Sequence, residues 1–151
     1  MTDGLATSGD AQRRGPLLVS DLMTRGVRTL GPTGNLAEVS DLMSTYRIRH
    51  VPVVDSECRI LGIVSQRDLL RGALGGGSDL PASIQRAYLR SIPIDEVMVS
   101  SVETVTPDTL IRDAAQRMLD LKIGSLLVTE SYQLVGILTE NDFVRWVKTH
   151  S

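Results

Sequence analysis

Residues 62–68 read Gly62-Ile63-Val64-Ser65-Gln66-Arg67-Asp68, and residues 136–142 read Gly136-Ile137-Leu138-Thr139-Glu140-Asn141-Asp142. Each stretch is a glycine, two aliphatic residues, a hydroxyl, two variable positions and an aspartate. The aliphatic run has the length and β-branching of a buried strand. A hydroxyl followed three residues later by an acid is a helix-start pattern. Each stretch therefore predicts a strand running directly into a helix N-terminus, and the two belong to a repeat.

The repeat extends on both sides. A shift of 75 superposes Met23 on Met98, Val27 on Val102, Thr29 on Thr104 and Pro32 on Pro107. The same shift brings Met43 onto Met118, Ile48 onto Ile123 and Val53 onto Val128. After one deletion in the Asp55–Arg59 region the shift becomes 74, which pairs Gly62 with Gly136, Asp68 with Asp142 and Arg71 with Arg145. Matches in the same order over about fifty residues make the chain a duplication.

Both copies have the same local pattern. A short β run, Val27–Leu30 or Val102–Val105, ends at Pro32 or Pro107, which cannot donate to a ladder. A helix follows, with apolar positions at three- and four-residue steps: Leu36, Val39, Met43 and Tyr46, then Ile111, Ala114, Met118 and Leu121. Two compact runs, Val51–Val54 with Ile60–Val64 and Leu126–Val128 with Leu134–Leu138, predict buried strands. The DSEC and ESYQ connections predict tight reversals. A closing helix begins near Ser65 or Thr139. The expected order is β-α-β-β-α, twice, an α/β (α+β) chain.

Composition supports this reading. Of 151 residues, 42% are apolar and 23% charged, an ordinary globular balance, and the 3% aromatic content leaves the core to aliphatic side chains and Met. A formal charge of −2 does not suit nucleic acid as the main partner. No apolar run approaches a membrane span, and MTDGLATSGDAQRRGP lacks the apolar stretch of a secretory signal. A cytoplasmic location is expected. The expected organisation is a disordered tail over 1–16, repeat 1 over 17–71, a Gly-rich linker with a short helix (ASIQRAYLRSI) over 72–92, and repeat 2 over 93–149. Gly75–Gly77 lacks the following Lys-Ser/Thr of a phosphate loop. Cys58 stands alone in a turn and reads as a surface thiol. His50 and His150 are far apart, with no ligand cluster, so no metal site is expected. Phe143, Trp146 and Val147 give the last helix an apolar face, for the core or for a dimer contact.

On these residues the chain resembles tandem CBS-domain pairs, or Bateman modules. The resemblance rests on the two Gly-apolar-x-Ser/Thr-x-x-Asp signatures. Supporting elements are the Asp21-Leu22-Met23-Thr24 and Glu96-Val97-Met98 openings and the segment Ile48-Arg49-His50-Val51-Pro52-Val53-Val54-Asp55. It covers roughly residues 19 to 147. The resemblance implies two repeats packed through their sheets about a pseudo-two-fold axis, with two clefts for adenosine-containing ligands such as AMP, ADP, ATP or S-adenosylmethionine. It also implies a regulatory role and a homodimer. The family pattern places Ile63 and Ile137 in the adenine pocket, with Thr24 to Val27 and Ser101–Val102 as the opposing wall.

The residues themselves admit two readings. Ser65 and Thr139 can cap their helices, an effect worth about 1 kcal/mol, with Asp68 and Asp142 favouring the positive end of the dipole. Alternatively, the free N–H groups of a helix start suit a phosphate. An acid there repels phosphate, so Asp68 and Asp142 are instead read as acceptors for ribose hydroxyls, as in dinucleotide folds. Ser65 and Thr139 then touch the phosphate end. Arg47, Arg49 and His50 are the informative departure between copies, since Lys122, Gly124 and Ser125 stand at the matching positions. They suit a multiply charged phosphate or, equally, a basic edge that discourages strand pairing.

Three functions follow. One is a stand-alone regulatory module for an adenine nucleotide, with S-adenosylmethionine or NAD as alternatives. A second is an interaction scaffold with vestigial clefts. The third is an enzyme, which the absence of any recognisable nucleophile–base pairing or catalytic motif disfavours.

Overall fold

The computed structural model describes residues 16–74 and 80–151, so most of the proposed tail and the Gly75–Gly77 run lie outside the described residues. The chain forms helix α1 (Val19–Leu22), α2 (Leu36–Tyr46), strands β1 (His50–Val54) and β2 (Ile60–Ser65), and helices α3 (Gln66–Ala73) and α4 (Ala82–Arg90). A 3-10 turn, Ile94–Glu96, precedes β3 (Thr104–Val105), α5 (Ile111–Leu121), β4 (Ser125–Glu130), β5 (Gln133–Thr139) and α6 (Glu140–His150). β1 and β2 pair antiparallel, as do β4 and β5, while β3 joins β4 in parallel. Both hairpins slip register at the same repeat position, between Val53 and Val54 and between Val128 and Thr129.

The first strand of each copy is shorter than its β-branching predicts. In repeat 2 it is reduced to Thr104–Val105. In repeat 1 the Val27–Leu30 run makes one parallel bridge, Leu30 to Val53, with the Leu30 N–H donating to the Pro52 carbonyl at 3.1 Å. In the rest of that run Val27 packs against the core between the sheets and Arg28 lies over the Tyr46 ring of its own repeat.

The two helices of the periodic reading bury Leu36, Val39 and Met43 in one copy and Ala114 and Met118 in the other. Tyr46 and Leu121 are exposed instead, at 43% and 48%. Both close the last helical turn, beyond the sheet that covers the earlier positions. Arg47 and Lys122 follow them in the left-handed region, at φ 54° and 55°. Phe143 and Trp146 pack on the repeat 2 core, whereas Val147 is exposed at 54%.

Packing between the copies is reciprocal. Val19, Leu22 and Met23, at the start of repeat 1, are buried with Val105, Leu126 and Leu138 of repeat 2. Ile94, with Val97 and Met98, lies in the core of repeat 1 beside Val39, Val51 and Val64. Thr24 bridges Ile137, and Val99 bridges Ile63. Leu18 bridges Leu110, and Pro93 bridges Asn35. Each of these pairs maps onto its partner by the repeat offset, while Arg59 bridges its own counterpart, Gln133, and so sits on the pseudo-two-fold axis. A third cluster, Val54, Leu127, Leu134 and Ile137, fills the space between the sheets, with Val27, Ile60, Ile63 and Val102 against it. The architecture is two small sheets packed through their inner faces, helices outside.

Candidate functional site

The strand-to-helix junctions are built as their sequences predict. Ser65 precedes α3 in extended backbone, and its Oγ accepts from the Asp68 N–H at 3.2 Å. Asp68 Oδ2 accepts from the Ser65 N–H and hydroxyl, both at 2.8 Å. At the second junction Asp142 Oδ2 accepts from the Thr139 N–H at 2.8 Å and from its hydroxyl at 3.3 Å. Capping is thus real in both copies, and the carboxylates are held in fixed orientations at the helix starts. Asp68 is 8% exposed and Asp142 2%, the two buried charged residues among those described.

Both junctions open onto one groove of about 1330 Å³ between the repeats. It is lined by Ser65, Asp68, Arg49, His50 and Ile63 from repeat 1, by Thr139, Asp142 and Ile137 from repeat 2, and by Thr24, Val27, Ser101 and Val102 from the connecting segments. The structure therefore brings every candidate site residue to one concavity. That volume exceeds the usual size of a small-ligand pocket, consistent with two half-sites in one groove. Ile63 and Val102, half-buried, and Ile137, buried, belong both to the packing between the sheets and to the groove wall.

The exchanged segments decide which wall faces which carboxylate. Thr24 N–H donates to the Ile137 carbonyl at 2.8 Å and the Thr24 carbonyl accepts from Ile137 at 3.0 Å. Val99 does the same with Ile63, at 2.9 and 3.0 Å. So Thr24 and Val27 face the Asp142 half, and Val99, Ser101 and Val102 face the Asp68 half. Periodicity reports that a face is buried, not which repeat buries it, so this pairing needed the structure.

The groove concentrates positive charge in a chain of net charge −2. Seven cations line it (Arg28, Arg47, Arg49, Arg67, Arg71, Lys122 and Arg145) against four acids (Asp68, Glu103, Glu140 and Asp142). Glu103 is paired with Arg117 and Asp142 with Arg145, which lowers the acidic share further. Arg28 lies over the Tyr46 ring at 4.0 Å, a cation–π contact at the groove wall. Of these cations Arg47 and Arg49, with Lys122 at the position matching Arg47, stand out in the sequence. Arg28, Arg67, Arg71 and Arg145 lie on other elements and join them only in three dimensions.

His50 pairs with Ser65 across the β1–β2 hairpin, and Ser125 pairs with Thr139 in the other copy. Burial pushes the His50 imidazole below its ordinary pKa of 6.5; Arg49 adds to that, while Glu140 and Asp68 oppose it. Arg49 itself is exposed, but its carbonyl accepts from the Gln66 N–H at 2.8 Å, which ties it to the start of α3. The described residues contain no group of three or more His, Cys, Asp or Glu that could hold a metal ion. Cys58 is exposed in the first hairpin turn at φ 64°. No helix among the described residues is long and apolar enough to cross a membrane.

Solved structures share this architecture. AcuB from Vibrio cholerae, described as an acetoin utilization protein, is 37% identical with a TM-score of 0.76, over 89% of this chain and 92% of that one. The CBS domain pair of protein MJ0100, solved with 5′-methylthioadenosine and S-adenosyl-L-methionine, is 23% identical with a TM-score of 0.74, over 90% and 99%. CBSX2 in complex with AMP is 24% identical with a TM-score of 0.74, over 89% and 98%. Among curated relatives, the chain spans 24% of a homoserine O-acetyltransferase from Methanohalobium evestigatum, 25% identical over 131 residues. It spans 81% of the CBS domain-containing protein YhcV from Bacillus subtilis, 27% identical over 124 residues. Enzymes among its relatives thus carry this module as a small part of their length. The CBS domain family matches residues 19–75 and 94–149, the two repeats that meet across the groove, and the chain belongs to that family.

Proposed function

We propose that the chain is a regulatory module that takes an adenosine-containing ligand, an adenine nucleotide such as AMP, ADP or ATP, in the groove between its repeats and passes the bound state to a partner protein. The observation that carries this is the charge of the groove: a surplus of arginines surrounds carboxylates fixed at helix starts. Those carboxylates suit ribose hydroxyls, the helix N-termini and Arg49 suit phosphate, and Ile63 with Val102 offers a purine an apolar wall. The ligands named for MJ0100 and CBSX2 share an adenosine core, which supports the class without selecting its member. The partners in this reading are a second copy of the chain and a regulated protein, and the chain performs no chemistry on the nucleotide. Transmission requires the ligand to favour one arrangement of the repeats over another.

Calorimetric titration with AMP, ADP, ATP, S-adenosylmethionine and NAD tests the reading. Saturable heat and a raised melting temperature with an adenine nucleotide are expected. Silence with all five ligands in both measurements overturns it. A second reading, a protein-interaction scaffold whose clefts are vestigial, draws on one observation: the Asp142 carboxylate is fully engaged within the protein. A partner complex that forms or dissolves on nucleotide addition counts against it.

A further inference from the structure

The repeat makes Asp68 and Asp142 equivalent, but their surroundings differ. Asp142 Oδ1 accepts from the Thr24 hydroxyl at 2.7 Å and from Arg145 Nη1 at 3.1 Å, in addition to the two bonds from Thr139 on Oδ2. A carboxylate offers about four acceptor positions, so Asp142 has none to spare. Asp68 uses only Oδ2, toward Ser65, and its Oδ1 has no hydrogen-bond partner among the described residues. It is nevertheless more than nine-tenths buried and lines the groove. No fully buried side-chain oxygen among the described residues lacks a partner, so Asp68 Oδ1 opens to the groove, where a ligand hydroxyl would take it up.

The difference is written in the sequence. The counterpart of Thr24 is Val99, which has no hydroxyl to donate. Arg71, the counterpart of Arg145, forms no ion pair with Asp68 among the described residues, although both line the groove. In the sequence the Asp68 junction is matched with Arg49, His50 and the neutral Gln66, and the Asp142 junction with Gly124, Ser125 and Glu140. Glu140 and His50 both reach Gly124, so the imidazole stands between the two halves and faces the Glu140 carboxylate.

Resting on the reading of an adenine-nucleotide module, we propose that the two half-sites are unequal. One nucleotide binds per chain, in the Asp68 half, and the Thr24 hydroxyl acts as an internal stand-in for a ligand hydroxyl that keeps the Asp142 half closed. Thr24 is thereby the residue that sets how many ligands the groove takes. Its backbone bridge to Ile137 does not depend on the side chain, so valine, near-isosteric and matching Val99, removes the hydroxyl alone.

Calorimetric titration with ATP and with AMP, on the wild type, Asp68→Asn, Thr24→Val and the double variant, tests this, with melting curves to show that each folds. One site per chain is expected for the wild type, at least a tenfold weaker affinity for Asp68→Asn, and a second site for Thr24→Val. The double variant regains one site, now in the Asp142 half. Two equal sites in the wild type, full affinity in Asp68→Asn, or a single site in folded Thr24→Val overturns the inequality while leaving the nucleotide reading intact. Absence of binding by the wild type removes both together.

Discussion

Met98 lies directly on Gly62: a Cβ added at that glycine would meet the Met98 sulfur at 2.8 Å and the Val99 carbonyl oxygen at 2.9 Å. Met23 sits on Gly136 in the same way, with the sulfur at 2.8 Å and the Thr24 carbonyl oxygen at 3.1 Å. The signature glycines are therefore where each repeat admits the segment exchanged from the other. The methionine can turn aside, but the carbonyl is part of a two-bond bridge and cannot. Gly62→Ala is expected to cost about 1–3 kcal/mol, the usual range for overpacking, and Gly136→Ala somewhat less because its carbonyl is farther away. Urea denaturation of both variants checks the magnitude and the order.

His50 gives stability a pH dependence of known sign. Its folded pKa is depressed, chiefly by burial, from an ordinary value of 6.5. Between the folded and unfolded values the unfolded chain binds more protons, so stability rises with pH through the window just below 6.5 and levels off above it. The melting temperature should fall as the solution is acidified through that window, and His50→Gln should flatten that part of the profile. A phosphate beside His50 favours the charged imidazole, so nucleotide affinity should strengthen over the same interval in which the free protein loses stability. Melting curves with and without ATP, at a series of pH values, measure both slopes.

Much of this was legible before any coordinates. The hairpins and closing helices follow from β-branched runs ending in Ser65-x-x-Asp68 and Thr139-x-x-Asp142, and the duplication from an offset that keeps glycine, methionine and proline in register. The exchange of Leu22–Met23 and Val97–Met98 between repeats was not legible, because an apolar pattern states that a face is buried without naming its partner. The Val27–Leu30 run forms less strand than its composition predicts because Val27 faces the groove and the core between the sheets, leaving Leu30 to bridge Val53. The bond from Thr24 to Asp142 spans 118 residues and no local pattern carries it. The substitution of Val99 for Thr24 under the repeat offset was its one visible trace.

Ser131 and Tyr132 form the two-residue loop between β4 and β5 with both φ values positive, 52° and 66°. That geometry belongs to a type I′ hairpin, which glycine and asparagine adopt most readily. A non-glycine residue pays about 1–2 kcal/mol in the left-handed region, and glycine gives back about 0.5–1 kcal/mol through the entropy of the unfolded chain. Tyr132 is 87% exposed, so little packing is lost with its ring. Tyr132→Gly is expected to stabilise the protein by about 0.5–1 kcal/mol, a rise of a few degrees in melting temperature, without changing ligand affinity.

In the proposed nucleotide reading Arg49 meets the phosphate and not the nucleoside. Its backbone carbonyl holds the start of α3 through the Gln66 N–H, while its guanidinium, which lines the groove, forms no ion pair among the described residues. Arg49→Ala removes the charge and leaves the backbone bond, so the fold should be unaffected and the melting temperature should move little. Arginine meets phosphate oxygens through paired, charge-assisted bonds, whereas adenosine presents only the base and the sugar hydroxyls proposed to meet Asp68. Affinity for AMP or ATP should therefore fall about tenfold or more, roughly 1.4 kcal/mol, while adenosine stays within about twofold. Parallel titrations decide the matter: equal losses for nucleotide and nucleoside would mean that Arg49 shapes the pocket as a whole, and the phosphate would then have to be held by the helix N-terminus and the remaining arginines of the groove.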